Sequence, residues 1–275
     1  MTPISAATRL AAVIGSPVAH SLSPVLHNAA FGAADLDWRF VAFDVAPGSA
    51  AAALDAMRTL GIRGLAVTMP HKADVAAAVD RLDVAAAALR SVNTVVLGED
   101  GSTLGLSTDG DGFVASLAAE GVEVAGRRFV VVGAGGAGRS IVDALARAGA
   151  ADIVVVNRTA EAAVAAAELA AVGRVGTLAE IAHADVLVNA TSIGMGTDDT
   201  PVPADLLHPG LAVADIVYHP LDTALLRRAR SVGAPAVDGL GMLVHQAVLQ
   251  QVHWTGRRPD PAVMRAAALH HLAPR

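Results

Sequence analysis

The chain contains no cysteine, one tyrosine and, read along its 275 residues, a single lysine. Each shortage excludes something. Without cysteine there are no disulfides, no thiolate metal ligands and no thiol nucleophile. No charge-free apolar run reaches the roughly 18 residues of a membrane span. The start of the chain lacks a basic segment followed by an apolar core, so no secretory signal is visible. A net charge of −6 argues against non-specific nucleic-acid binding, which needs a basic face. The ten histidines are scattered with no metal-ligand spacing, so no metal is expected. What is present is an apolar fraction of 53% and a charged fraction of only 17%, which gives a chain able to bury a core and too weakly charged for disorder. The expectation is a soluble, cytoplasmic protein of one or two domains.

The lone lysine is Lys72. Every other basic residue is arginine, as codon bias alone would produce wherever a generic positive charge suffices. Arginine stays protonated at any working pH, whereas lysine exchanges a proton. Position 72 is therefore a candidate for proton chemistry.

Short β-branched runs alternate with alanine-rich helical stretches, the pattern of an α/β fold with a parallel sheet. Strands are expected near residues 9–14, 39–45, 62–67 and 92–97, with helices near 23–33, 48–60 and 71–79. A second series from about residue 109 places strands near 128–132, 152–156, 186–189, 212–216 and 235–237, and helices near 136–148 and 159–170. The last 37 or so residues read as helical.

The strand at 128–132 runs into Gly133-Ala134-Gly135-Gly136-Ala137-Gly138 and then a helical pattern. This is G-x-G-x-x-G in its meaningful context, a strand, a tight turn and a helix. Gly133 makes the turn, Gly135 lets a pyrophosphate approach, and Gly138 lets helix pack on strand. The helix N-terminus supplies amide donors to phosphate. The following strand ends in Asn157-Arg158-Thr159, where NAD sites usually carry a carboxylate for the ribose 2′-hydroxyl. Arg158 pairs well with a 2′-phosphate and Thr159 supplies a hydroxyl, so the expected cofactor is NADP. Against this stands a plainer role, with Thr159 a helix cap and Arg158 a solvated charge.

Four further segments carry polar groups. In Gly15–Pro24, Pro24 suits the first turn of a helix with Ser23 as its cap, while Ser21 has no such local task. Two hydroxyls at a helix start make a carboxylate cradle. Thr68 and Lys72 fall where a strand ends and a helix begins, the place where ligands of open α/β sheets gather. Lys72 there opposes the helix dipole, a local cost. Asn93 heads a strand, and Asp109 opens the second series, where it also suits a helix cap. His20 and His27 read as structural hydrogen bonders. Hydroxyls, amides, one amine and one carboxylate beside a dinucleotide suit reversible oxidation of an alcohol.

In order, the segments GSPVAHSLSPVLHN, VTMPHK, SVNT, STDG, GAGGAG, NRT, NATSIGM, IVYHPLDTALL and GLGMLVHQAVLQQVHWTG resemble the shikimate dehydrogenase family, from Gly15 to Gly256. The resemblance implies NADP-dependent reversible reduction of 3-dehydroshikimate to shikimate in aromatic amino acid biosynthesis. It implies Lys72 and Asp109 as the catalytic pair, with Lys72 moving the proton. Ser21 and Ser23 match contacts to the substrate carboxylate, Thr68, Asn93 and Gln246 match contacts to ring hydroxyls, and Tyr218 lies on the substrate side. Ile216 and Gly239 match positions lining the nicotinamide. The implied fold is two α/β domains around a cleft. A discontinuous substrate domain takes 1–108 and 239–275, and a Rossmann-type domain takes 109–238. Loops near 15–24 and 191–200 are the expected movers. The family contains monomers and dimers, so a homodimer is one expected assembly. Two positions depart from the family pattern, Ala66 and Ser107, where it usually has Asn. Relatives acting on quinate or aminoshikimate, and a non-catalytic NADP-binding regulator, are the alternatives. Asn157-Arg158-Thr159 argues against a quinate enzyme, since those tend to prefer NAD.

Overall fold

A computed structural model describes residues 3–273. The chain divides into two compact units, one taking the chain up to Thr108 and again from Gln246, the other Asp109–His245.

The first unit begins with β1 (Arg9–Gly15), α1 (Ser23–Ala33), β2 (Trp38–Asp44), α2 (Ala50–Leu60), β3 (Gly64–Val67) and α3 (Lys72–Ala78). It continues with β4 (Arg81–Leu82), α4 (Val84–Leu89), β5 (Thr94–Leu97) and β6 (Thr103–Leu106). These strands form one sheet in the order β2-β1-β3-β5-β6-β4. Alternate residues of each strand face opposite ways. Ile14, Leu65 and Val67 pack with Leu54 and Met57 of α2 and Val75 of α3, while Val13 and Ala66 join Phe31, Phe40 and Trp254 on the other face.

This sheet differs from the all-parallel expectation: β5 runs antiparallel to both β3 and β6. The cause is a hairpin concealed in LGEDGST. The Gly98 amide donates to the Ser102 carbonyl at 2.8 Å, Gly101 takes a positive φ of 80°, and the Asp100 carboxylate accepts from the Ser102 amide. Two charges and two glycines between apolar pairs marked a turn, yet β6 is too short and too glycine-broken to read as a strand alone. The two-residue β4 and six-residue α4 escaped for the same reason of length.

The second unit opens with α5 (Asp109–Ala119) and β7 (Arg128–Val132), then α6 (Gly136–Arg147), β8 (Asp152–Val156), α7 (Ala160–Ala167) and β9 (Gly173–Val175). After a 3-10 turn come β10 (Val186–Asn189), β11 (Ala212–Asp215), α8 (Ala224–Ser231) and β12 (Ala236–Val237). Here every pairing is parallel, in the order β12-β11-β10-β7-β8-β9. Such strands are buried on both faces and read as continuous Val/Ile runs, as RFVVV and DIVVV do. Phe113, Leu117, Ile141, Leu145 and Ala163 cover one face, and Ile181, Leu225, Leu226 and Ala229 the other.

The helix α9 (Gly239–Thr255) carries residues of both units, and α10 (Pro261–Leu272) packs against α1. Among the described residues no helix is long and apolar enough to cross a membrane.

Candidate active site

In the first unit, strand direction gathers the polar residues. β1, β3 and β6 run one way and β5 the other. The C-terminal ends of β1, β3 and β6 therefore share one edge of the sheet with the N-terminal end of β5. That edge carries the loop holding Ser21, then Thr68, Asn93 and Thr108. Backbone bonds tie the loops together. The Ser16 amide donates to the Met69 carbonyl, Val67 to Asn93, and Val92 to the carbonyl of Lys72. A Cβ at Gly15 would stand 2.5 Å from the Thr68 methyl, so the strand end fits against Thr68 only as glycine.

Lys72 is the first residue of α3 and half-buried. Its neighbour His71 is fully buried and bonds the Val45 carbonyl at 2.8 Å, anchoring the helix start. Asn93 and Thr108 are both 3% exposed. The Asn93 Oδ1 accepts from the Thr108 amide at 2.8 Å and from the Thr94 hydroxyl at 2.8 Å. Its Nδ2 donates to the Thr108 hydroxyl at 3.0 Å. The Thr108 hydroxyl also reaches the carbonyl of Gln246, itself buried. Thr68, Lys72, Asn93 and Gln246 are thus linked through adjoining backbone.

The two serines reverse their expected local roles. Leu22, not Ser23, caps α1, with no side-chain capping bond, and Ser23 is the first helical residue. It is Ser21 whose hydroxyl accepts from a backbone amide, that of Ser23 at 3.3 Å. Pro24 at the second helical position fixes this one-residue shift, because its missing amide is tolerated anywhere in the first turn. His27 is fully buried against Gln250, whereas His20 is exposed and has no hydrogen bond among the described residues.

In the second unit, strand order reverses beside β7: β8 and β9 lie on one side, β10 to β12 on the other. Ligands of open α/β sheets bind at that switch point. Gly133 there has φ 111°, and a Cβ on it would meet the Ala190 carbonyl at 2.8 Å. A Cβ on Gly138 would sit 2.1 Å from the Gly133 oxygen, so α6 lies against the turn only as glycine. Gly135 and Gly136 are exposed, and a Cβ on either would touch nothing within 4 Å. Nothing in the fold demands glycine at these two, and the open space before a helix N-terminus fits a pyrophosphate. Ala134 and Ala137 complete the turn. Asn157 braces it, its Oδ1 accepting from the Ala134 amide and its Nδ2 donating to the Thr159 carbonyl. Arg158 and Thr159 are exposed. Arg158 has no ion pair among the described residues, and Thr159 stands at the cap of α7 without a side-chain capping bond. The plainer reading of Thr159 as a cap therefore lacks its hydrogen bond.

Asp109 is half-buried at the start of α5, where a carboxylate suits the helix dipole. A Cβ at the next residue, Gly110, would stand 2.1 Å from the Ser140 carbonyl, which fixes α5 against α6. Gly239 packs against the end of β11, its Cβ position 2.3 Å from the Ile216 carbonyl. Tyr218, two residues on, is half-buried, and burial raises its phenol above the usual range.

One residue went unremarked in the sequence. Asp215, 1% exposed at the end of β11, accepts from Asn189 Nδ2 at 2.9 Å, the Val217 amide at 3.0 Å and the Thr223 hydroxyl at 2.8 Å. Burial raises its carboxyl above the usual range, and these three donors oppose the rise. Asn189 accepts from the Thr191 amide and hydroxyl and donates to the Ile193 carbonyl. Together they pin the loops after β10 and β11, including Ile216 and Tyr218. The signal was legible: β8, β10 and β11 are apolar runs that each end at or beside an Asn or Asp.

A sheet edge lined by hydroxyls, amides and one lysine, with a glycine-turn dinucleotide unit in the same chain, defines the class of nicotinamide-dependent oxidoreductases. Family models agree. Residues 13–95 match the shikimate dehydrogenase substrate binding domain, 116–195 the shikimate/quinate 5-dehydrogenase model, and 239–269 the shikimate 5′-dehydrogenase C-terminal domain. The shikimate dehydrogenase (NADP(+)) of Rubrobacter xylanophilus is 47% identical over 96% of either chain. That of Moorella thermoacetica is 44% identical, over 96% of this chain and 94% of its own. The shikimate 5-dehydrogenase of Thermus thermophilus, solved with NADP(H) and shikimate, superimposes with a TM-score of 0.90 at 38% identity, over 96% of this chain and 100% of its own. The chain belongs to the shikimate dehydrogenase family.

Proposed function

We propose that this chain catalyses the NADP-dependent, reversible reduction of 3-dehydroshikimate to shikimate, and that it works in aromatic amino acid biosynthesis in the cytoplasm. The observation that carries the reading is the convergence of Thr68, Lys72, Asn93 and Thr108 on one edge of the first unit's sheet, built by a hairpin that turns β5 around. Ser21 and Ser23 hold the carboxylate. Thr68, Asn93 and Gln246 orient the ring hydroxyls, with Tyr218 on the substrate side. Lys72 carries the proton of the reacting hydroxyl, and Asp109 is its partner in that transfer. NADP, when bound, supplies the redox step. Gly133, Ala134, Gly135, Gly136, Ala137 and Gly138 cradle its pyrophosphate, Asn157 holds the cradle in shape, and Arg158 and Thr159 take the 2′-phosphate. Ile216 and Gly239 line the nicotinamide.

The test is NADPH formation, followed by the absorbance of the reduced nicotinamide, with shikimate, quinate and aminoshikimate offered separately, and with NADP and NAD compared. Turnover with shikimate and NADP, well above every other pairing, is expected. Faster turnover with quinate and NAD would overturn the assignment, and binding of NADP without turnover would make the chain a regulator.

A further inference from the structure

Behind the polar edge of the first unit lies a second row of polar groups that no substrate can reach. Gln250 and Thr94 are 2% and 0% exposed, and His27 is 0% exposed. They form one chain of hydrogen bonds ending on Asn93, and the direction of every bond in it follows from the donors available.

The Thr108 amide can only donate, so the Asn93 atom 2.8 Å from it is the oxygen. The Thr94 hydroxyl lies 2.8 Å from that same oxygen and spends its one proton there. Thr94 must therefore accept from Gln250, 3.1 Å away, which makes the Gln250 atom its nitrogen. The same nitrogen is 3.2 Å from the Asn93 carbonyl, an acceptor only, which requires the same assignment independently. The Gln250 oxygen then faces His27 Nε2 at 3.2 Å, so this nitrogen carries the hydrogen. His27 is fixed as the neutral Nε2–H tautomer. Its Nδ1 has no hydrogen-bond partner, and burial lowers its pKa to about 4, with the Gln250 amide opposing only in part. Aromatic rings hold the imidazole in place, with Phe40 stacked at 4.4 Å and Trp254 tilted at 5.1 Å.

The sheet leaves room for this row because its facing residues are small. Trp254 lies over Gly64, where a Cβ would stand 2.4 Å from the indole nitrogen. One helical turn earlier on α9, Gln250 reaches the strand pair where Ala66 lies directly opposite Thr94. Ala66 brings no polar group, so the donor to Thr94 comes from α9.

We propose that Thr94 and Gln250 are positioning residues for the reaction, which hold the Asn93 amide in the one orientation that recognises the substrate's ring hydroxyl. This rests on the reading of Asn93 as a substrate contact. An amide turned end for end would set its N–H groups against the Thr108 amide, and the row behind Asn93 raises the energy of that state. Thr94 and Gln250 touch neither substrate nor cofactor, so their effect passes through Asn93 alone.

The test uses the full chain and steady-state kinetics. Thr94→Val keeps shape and removes the hydroxyl, Thr94→Ser keeps the hydroxyl, Gln250→Met removes the amide at similar volume, and Asn93→Ala is the control. Thr94→Val and Gln250→Met should each raise the KM for shikimate about tenfold, the loss of roughly one buried hydrogen bond, with the KM for NADP unchanged. Thr94→Ser should restore the parental value to within about twofold. Normal shikimate KM in Thr94→Val and Gln250→Met, with a raised value in Asn93→Ala, would overturn the relay and leave Asn93's role standing. So would equal rises in both KM values, or failure of Thr94→Ser to restore, since these mark a general structural loss. Normal KM in Asn93→Ala would overturn the relay and the substrate reading together. Melting curves identify any variant that does not fold, and Gln250→Met carries the test if Thr94→Val is one.

Discussion

At the scale of single residues, the proposed preference for NADP is tested at one guanidinium. Arg158 is exposed and has no ion pair among the described residues, so its charge is available to a phosphate. Arg158→Ala should raise the KM for NADP by about tenfold or more and leave that for NAD within about twofold, measured side by side. Equal changes would return Arg158 to a solvated surface charge. His27 makes a different prediction. Its ordinary value of 6.5 falls to about 4 in the folded chain, so below pH 6.5 the unfolded chain takes up a proton that the folded chain refuses. Stability is therefore full above about pH 7 and falls as the pH drops toward 4. The imidazole is wholly buried, and the loss from this group between pH 7.5 and pH 5 is about 2 kcal/mol. Urea unfolding of the parent and of His27→Leu at both pH values isolates it from the carboxylates, which titrate in each. A parent that loses no more than the variant would show that His27 gains its proton without penalty. His27 was recognisable in the sequence as a structural hydrogen bonder, but its tautomer was not, because the atoms that fix it come from positions 93, 94, 108 and 250. Ser23 was misplaced by one position for a local reason, since Pro24 is accepted at either of the first helical positions.

At the scale of elements, the glycine turn separates two uses of glycine. Gly138 has no room for a Cβ, and Gly135 has room but nothing to touch. Gly138→Ala should lower stability by about 2 kcal/mol or more, because the Cβ strikes backbone that cannot move aside. Gly135→Ala, at φ −73°, should keep stability within about 1 kcal/mol and weaken NADP binding at least tenfold. Thermal unfolding and NADP titration of both variants read this out, and similar stability losses in the two would remove the distinction. The buried Asp215 makes a comparable claim for the loops after β10 and β11. Asp215→Ala leaves Asn189, Val217 and Thr223 without their acceptor and should cost about 2–4 kcal/mol, seen as a fall in urea midpoint. These elements were largely legible, because G-x-G-x-x-G after RFVVV marks a strand, a tight turn and a helix. The β5–β6 hairpin was not. Its strands have four residues each, and β6, interrupted by Gly105, is too short to show an alternating pattern of its own.

At the scale of the whole molecule, the two units use their sheets in different ways. The second is parallel throughout and places its glycine turn at the reversal of strand order. The first breaks the parallel run, and only that break brings Asn93 to the same edge as Thr68 and Lys72. The division into α/β parts was visible in the two alternating series of strand and helix. That the first series was not uniformly parallel lay beyond pattern reading. Lys72, the one lysine, stands on the edge to which the break brings Asn93, and the proposed proton transfer depends on it more than on any other residue. The most direct test is the rate of NADPH formation from shikimate by the parent chain and by Lys72→Met, with NADP binding measured on both. Rapid turnover by the parent and a loss of about 10²–10⁴-fold in the variant, the scale of a removed acid–base group, are expected, with NADP binding unchanged. Turnover by Lys72→Met close to the parental rate would rule out proton transfer by this lysine.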